Sequence, residues 1–445
     1  MNYKETCEYL YNQMPMFERQ GASGYKEGLS NTLALDEHLG HPHFAYKTIH
    51  VGGTNGKGSV SHTIASILQE SGYRVGLYTS PHLVDFRERI RINGKPISQQ
   101  YVVNFVEEHR AFFEPLHPSF FEVTTAMAFQ YFKEKNIDIA VVEVGLGGRL
   151  DCTNIIQPLV SVITNISFDH TQFLGDTLAK IAGEKAGIIK RGTPVVIGET
   201  NAETRPVFEA KAREMDAPIV FAEDHPQVIS AEPRAEGGMH YHLKEMGEMN
   251  GDLGGIYQKQ NMNTVLFALE ELRKQGYLAS TFEGLTYQRC RLELEKGVNH
   301  VAENTGLMGR WQIVNQIPKV VCDTGHNVGG WQYLSRQLAT VHCQQMHIVF
   351  GMVDDKDIDK VLDLLPKHAK YYFTKAQTKR ALSETIVAEK AKTHGLEGEA
   401  YPTVNEAYKA AYRSASANDF IFVGGSSYVV GDFLKDFIYL FLTFS

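Results

Sequence analysis

Residues 46–66 constrain this chain more than any other stretch. An apolar run closes at Val51, glycines stand at 52, 53, 56 and 58, and from Val60 the apolar positions Ile64, Ile67 and Leu68 recur at helical spacing. The order is strand, glycine loop, helix. It leaves the first backbone N–H groups of the helix without intrahelical partners and puts the positive end of the helix dipole over the loop. Loop residues without side chains let phosphate oxygens reach those N–H groups. Lys57 adds a point charge for the outer phosphates, and the hydroxyl of Thr54 or Ser59 can face a phosphate or Mg²⁺. The segment Thr54-Asn55-Gly56-Lys57-Gly58-Ser59 therefore reads as a cradle for a nucleotide such as ATP, although Gly58 intervenes between lysine and hydroxyl, unlike the common form of such loops.

A chain of 445 residues exceeds one ordinary core, so two domains are expected. A net charge of -8 speaks against nucleic-acid binding over a broad face, so anion binding must rest on local features. Five cysteines (Cys7, Cys152, Cys290, Cys322, Cys343) show neither C-x-x-C nor zinc-type spacing, which fits a reducing cytoplasm. The first residues, M-N-Y-K-E-T-C-E-Y-L-Y, carry no secretion pattern, and the apolar run 437–444 is about half a bilayer span. No membrane association is expected, and that run should dock as a terminal helix or strand.

Other strands are expected at 74–79, 137–144, 159–165, 194–198 and 218–221, and helices over 4–20, from Ser30 or Asn31, and over 120–132, 177–189 and 258–272. Ser80 follows a strand and so sits at the carboxyl end of the sheet, where open α/β folds bind ligands. Glu143 ends an apolar strand beside the phosphate loop, a placement suited to holding Mg²⁺. Residues 223–255 turn polar and suggest a hairpin or an irregular excursion. Because 297–309 shows no pattern, the domain boundary falls near residue 300, giving domains 1–300 and 301–445. A second β/α alternation follows, with strands at 319–323, 346–350, 370–373 and 419–423 and helices from Gly329, Lys356, Ser383 and Asn405. It lacks G-x-G-x-x-G after its first strand, so a dinucleotide site is not indicated.

The loop G-T-N-G-K-G-S after I-H-V resembles the ATP loop of folylpolyglutamate synthases and dihydrofolate synthases, members of the Mur ligase superfamily. T-S-P-H-L (79–83), F-R-E-R-I-R-I-N-G (86–94), F-E-V-T-T (121–125), E-V-G-L-G-G-R-L-D-C-T-N (143–154), I-S-F-D-H-T-Q-F-L-G (166–175), E-K-A-G-I (184–188), G-R (309–310) and D-T-G-H-N-V (323–328) carry the resemblance over nearly the whole chain. Cys152, Gly325 and Val328 depart from the family pattern. The fold so implied is an N-terminal P-loop NTPase-like Mur ligase domain with a mostly parallel sheet, plus a smaller C-terminal Rossmann-like α/β domain.

The resemblance implies an ATP-dependent ligase, expected as a cytoplasmic monomer, that adds L-glutamate to dihydropteroate and to reduced folates through an acyl phosphate. It implies metal ligation by Ser80, Glu143 and His170, and carbamylation of Lys185. It places nucleotide contacts at Asn261 (with Asn263 as a rival), Arg310 and Asp323, and pterin contacts at Gly28, Leu29, Phe121, Glu122, Arg149 and Asp151. A histidine is suited to take the proton of the incoming ammonium, which points to His326. Arg87, Arg89 and Arg91 read either as a solvated strand face or as grips for an acidic tail. Rival readings are a folylpolyglutamate synthase alone, a Mur-type ligase with another acceptor, and a nucleotide-dependent switch; the last needs neither Ser80 nor His170.

Overall fold

The computed structural model describes residues 1–15, 28–278 and 284–444. Its first sheet has eight strands, β1 (Lys47–Gly52), β2 (Val75–Tyr78), β3 (Ile90–Ile92), β4 (Lys95–Pro96), β5 (Ile139–Glu143), β6 (Val160–Ile163), β7 (Val195–Ile197) and β8 (Ile219–Phe221), in the order β4-β3-β2-β5-β1-β6-β7-β8. All neighbours are parallel except β3 and β4, which form an antiparallel hairpin on one edge. Central parallel strands are covered on both faces and therefore read as continuous apolar runs. Ile49 and Val51 of β1 pack with Val60, Ile64 and Leu68 of the helix Lys57–Glu70, while Ala140 and Val142 of β5 pack with Phe129 and Phe132 of the helix Phe120–Glu134.

The excursion at 223–255 is an ordered antiparallel meander of β9 (Val228–Pro233), β10 (Met239–Leu243) and β11 (Gly247–Gly251). Met239, Tyr241, Leu243 and Met249 alternate inward and join the first core. The second domain carries β12 (Gln312–Gln316), β13 (Lys319–Asp323), β14 (Met346–Phe350), β15 (Lys370–Thr374), β16 (Gly398–Tyr401) and β17 (Phe420–Gly424) in the order β12-β13-β17-β14-β15-β16, parallel except for β12. Strands β12 and β16 are additions to the expected set.

Several expectations need correction. The first helix is Tyr3–Gln13, started by a capping box of Asn2 and Glu5, and it ends before Met14; Phe17 and residues 24–27 lie outside the described residues. The patternless stretch 297–309 holds the end of the helix Gly284–Asn299 and all of the helix Val301–Thr305. The helix that carries Asn261 and Asn263 is Gln258–Lys274, and it begins after Tyr257, so both stand within its first two turns. The apolar C-terminal run takes the helical one of its two expected forms, as the end of the helix Ser427–Phe444. No helix among the described residues is long and apolar enough to cross a membrane.

Candidate active site

The glycine loop follows β1, where the strand order reverses between β5 and β6, the crevice in which open α/β sheets bind ligands. Gly53 (φ 134°) lies against Thr164, and Gly56 (φ 86°) lies against the amide of Asn261, so a side chain at either would collide as well as strain the backbone. Lys57 opens the helix, its Nζ donating to the carbonyls of Gly53 and Thr54 at 3.1 Å each. The candidate hydroxyls serve the loop itself. Thr54 Oγ1 donates to Ser167 O (3.3 Å) and accepts from Ser167 N (3.1 Å), and Ser59 Oγ accepts from Gln258 Nε2 (3.2 Å).

Lys185, on the helix Leu178–Ala186, sends its buried Nζ to the same Gly53 carbonyl at 2.8 Å. Burial first, and then the charge of Lys57, push its pKa down to about 7. Glu143, at the end of β5, is also buried and its Oε2 accepts from Ser80 N at 3.3 Å. Burial pushes its pKa up, against the pull of Lys57, the Ser80 N–H and Arg310. Lys57, Ser80, Glu143, His170 and Lys185 all line one cavity of about 210 Å³.

The second domain closes that cavity with Arg310, Thr324, His326, Lys356 and Arg380. Arg310 Nη1 donates to Thr324 Oγ1, and its other terminal nitrogen lies over Gly58. The junction centres on Asp169. Its Oδ2 accepts from Asn327 Nδ2 (2.9 Å) and from His326 Nε2 (3.2 Å), its Oδ1 pairs with Lys356, and the side chain is buried. Burial alone would raise its pKa, but His170, Lys356 and His326 together hold it well below the carboxylate range. Asn327 also exchanges paired amide bonds with Asn55 (3.1 and 3.0 Å) while its Oδ1 caps the helix Val328–Leu338. Asn55 thus meets the other domain.

Comparisons with known proteins bear on this geometry. Residues 51–262 match the Mur ligase middle domain, and residues 309–427 match the Mur ligase glutamate ligase domain. The Bacillus subtilis dihydrofolate synthase/folylpolyglutamate synthase is 33% identical over 426 residues, which cover 93% of this chain and 95% of that protein. The folylpolyglutamate synthase of Lacticaseibacillus casei is 35% identical, covering 82% of this chain and 83% of that one. The chain belongs to the dihydrofolate synthase/folylpolyglutamate synthase family. The solved Mycobacterium tuberculosis folylpolyglutamate synthase, complexed with ADP and AMPPCP, superposes with a TM-score of 0.85 at 30% identity, covering 98% of this chain and 99% of that one. A solved bifunctional folylpolyglutamate synthase/dihydrofolate synthase with Mn, AMPPNP and L-glutamate bound gives a TM-score of 0.79 at 28% identity, covering 98% of each chain. This member of the family is accordingly a ligase that uses ATP and a divalent metal.

The donor set suits such a metal. A buried carboxylate, a hydroxyl and an imidazole border one cavity together with Lys57 of the glycine loop. Among the described residues no three His, Cys, Asp or Glu side chains gather into a metal-holding group. Mg²⁺ needs few protein ligands, since it fills most of its shell with water and phosphate oxygens.

The other residues inferred from the family resemblance fall into separate places. Asp323 Oδ2 accepts from Tyr257 OH (2.5 Å) and Trp311 N (2.8 Å), which ties the two domains behind Arg310. Asn261 lies at the loop, whereas its rival Asn263 is spent on the backbone of Gln227 and Ala222. Phe121 packs against Gly145 and Tyr78, while Glu122 caps its own helix through Ser119 N (2.6 Å). Asp151 binds the backbone of Leu146 and Thr153, and Arg149 pairs at the surface with Glu184 (2.9 Å). Gly28 (φ 106°) and Leu29 precede the helix Ser30–His38. None of these six lines the cavity of Lys57.

Of the arginines after Phe86, Arg89 and Arg91 are buried rather than on a solvated face, and Arg91 lines the cavity of Lys57. Arg87 pairs with Asp85 (2.9 Å). Arg89 is fully buried, donating to His82 Nδ1 (2.8 Å) with its guanidinium 5.0 Å from the Phe120 ring centre. Arg91 is buried against the interdomain crossing. Two residues were underrated by sequence reasoning. Asp169 enters the sequence reading only within I-S-F-D-H-T-Q-F-L-G, and Lys356 only as the start of an expected helix; the shared signal is a charged residue just past a strand end of each sheet.

Proposed function

We propose that this ligase adds L-glutamate both to dihydropteroate, forming dihydrofolate, and to reduced folates, lengthening their glutamate tails, with ADP and phosphate released. The observation that carries the reading is the single cavity in which Lys57, Ser80, Glu143, His170 and Lys185 of the first domain face Arg310 and His326 of the second. The domains divide near residue 300.

A carboxylate is a poor electrophile, and an ammonium has no lone pair to offer. Phosphorylation of the acceptor carboxylate by ATP meets the first difficulty by giving an acyl phosphate, and loss of a proton from glutamate meets the second. Lys57 and the N–H groups of the loop place charge where the transferring phosphoryl group develops it, work that is almost wholly positioning and electrostatics. Ser80, Glu143 and His170 would hold Mg²⁺, which supplies further positive charge at the phosphoryl oxygens. Lys185 has a pKa near 7, so much of its amine is neutral and open to carbamylation at neutral pH. Arg310, Asp323 and Asn261 serve the nucleotide, and domain closure completes the site.

His326 is the proposed base for the glutamate ammonium, with one condition. Its Nδ1 contacts the Thr324 carbonyl (3.1 Å) and its Nε2 the Asp169 carboxylate (3.2 Å), both acceptors. A ring keeping both contacts donates from both nitrogens and has no lone pair for a proton, so His326 must release Asp169 to act.

Phe121 beside Gly145, with Gly28, Leu29, Glu122, Arg149 and Asp151, would take the pterin end, away from the phosphate loop. The test is mass spectrometry of products from dihydropteroate and from a reduced folate in parallel, with ATP, Mg²⁺ and glutamate. A glutamyl product from each supports the reading. Product from the reduced folate alone reduces it to a folylpolyglutamate synthase, and product from neither with hydrolysis of ATP revives the switch. The protein is expected to act as a monomer.

A further inference from the structure

Arg91 stands on β3 opposite Leu77 of β2, with only 5% of its surface exposed. Its Nη1 donates to Glu88 O (2.6 Å) and its Nη2 to Gly306 O (3.2 Å). The Glu88 carboxylate is occupied by the backbone N–H groups of Leu83, Val84 and Asp85 at 2.7–2.9 Å, and among the described residues no carboxylate pairs with Arg91. A guanidinium buried on carbonyls alone is costly to keep, so its placement calls for a reason beyond stability.

The reason lies in what it holds. Gly306 has φ 70°, and a side chain there would crowd the guanidinium. At the tip of the same hairpin, Gly94 (φ 73°) lies directly against the carbonyl of Asn304. From the other side, the helix Lys57–Glu70 grips the two residues before Gly306. His62 Nδ1 meets Thr305 Oγ1 (2.7 Å), and Asn304 Nδ2 donates to Ser66 Oγ (3.0 Å) and Glu70 Oε1 (2.9 Å). The chain crosses into the second domain from this clamp, and four residues on it presents Arg310 over Gly58.

We propose that Arg91 is a positioning residue for Arg310: by anchoring the Gly306 carbonyl it fixes the start of the interdomain crossing, so that the Arg310 guanidinium is delivered to the phosphate loop. The role rests on the reading of Arg310 as a nucleotide contact. It gives the β3–β4 hairpin, whose Arg91 borders the cavity of Lys57, a task in ATP use.

A double-mutant cycle on the full-length enzyme tests this, with Arg91→Met, Arg310→Ala and the pair, reading kcat, the KM values of ATP and of glutamate, and the thermal midpoint. Arg91→Met is expected to lower kcat/KM for ATP on the order of tenfold and to have little effect in the Arg310→Ala background, because coupled residues are not additive. The KM of glutamate should stay within about twofold. If Arg91→Met does not fold, Arg91→Lys, which keeps a buried cation and a donor, and Gly306→Ala, which disturbs the contact from the other side, enter the same cycle with the same expectation. An Arg310→Ala enzyme with unimpaired ATP kinetics removes the reading of Arg310 and the proposal with it. An impaired Arg310→Ala enzyme in which the Arg91 change keeps its full factor overturns the positioning role alone.

Discussion

Asp169 of the first domain and Lys356 of the second form an ion pair in which each side chain is only 7% exposed. A pair so buried contributes less by its attraction than it costs to break, because removing one partner strands the other charge away from water. Lys356→Met should therefore destabilise the closed arrangement by about 3 kcal/mol, the low end of the range for such breaks, since His326 and Asn327 still donate to Asp169. Small-angle scattering should show a more extended particle. The double change with Asp169→Asn should raise the thermal midpoint above that of Lys356→Met alone, and a lower midpoint would contradict the account.

Lys57→Ala removes the one loop cation held by the Gly53 and Thr54 carbonyls. It touches no core cluster, so the thermal midpoint should stay within a few degrees. Turnover should fall on the order of 10²-fold or more, as when a single electrostatic stabiliser is lost. Steady-state assays and a melt on the same preparation check both halves.

Glu143→Gln keeps the shape and the contact with Ser80 N but removes the charge a metal needs. A carboxylate this buried is otherwise a burden on the fold, so the variant should melt no lower than the parent. The Mg²⁺ concentration giving half-maximal activity should rise at least about tenfold, the lower bound for losing an oxygen ligand of a hard cation. An unchanged metal titration would exclude Glu143 as a ligand.

The loop around Lys57 could be read locally because its meaning lies in consecutive residues, and β14 falls where its apolar run is. The missed elements fail that condition. Strand β12 is a half-buried edge with Gln312, Asn315 and Gln316 among its residues, so it shows no apolar alternation. The helix Gly284–Asn299 contains Gly297, which would argue for a break; there the absent side chain lets the helix lie on the backbone of Ile67. The solvated-face alternative for Arg89 and Arg91 arises because a charge run is ordinarily solvated, and only the packing of β3 under the crossing shows otherwise. The partners Asp169 and Lys356 stand 187 positions apart, beyond the reach of any local pattern.

Lys185 gives a pH prediction. Its pKa is depressed from 10.5 to about 7, so the folded protein sheds this proton more readily than the unfolded chain. Between pH 7 and 10 the unfolded state binds more protons, and this group makes stability rise with pH there; below pH 7 the contribution is lost. Near pH 7 its neutral fraction exceeds that of an ordinary lysine by roughly 10³-fold. Activity in bicarbonate-depleted buffer should fall and recover on adding bicarbonate, whereas Lys185→Arg should be inactive and indifferent to it. A parent enzyme insensitive to bicarbonate depletion would rule out carbamylation.

The most direct measurement is incorporation of radiolabelled glutamate by the purified protein with a reduced folate, ATP and Mg²⁺, with ADP counted in the same reaction. The account predicts one glutamate incorporated per ADP formed, both lowered together on the order of 10²-fold or more by Lys57→Ala. ADP formed without glutamate incorporation, or incorporation that persists without ATP, would contradict it.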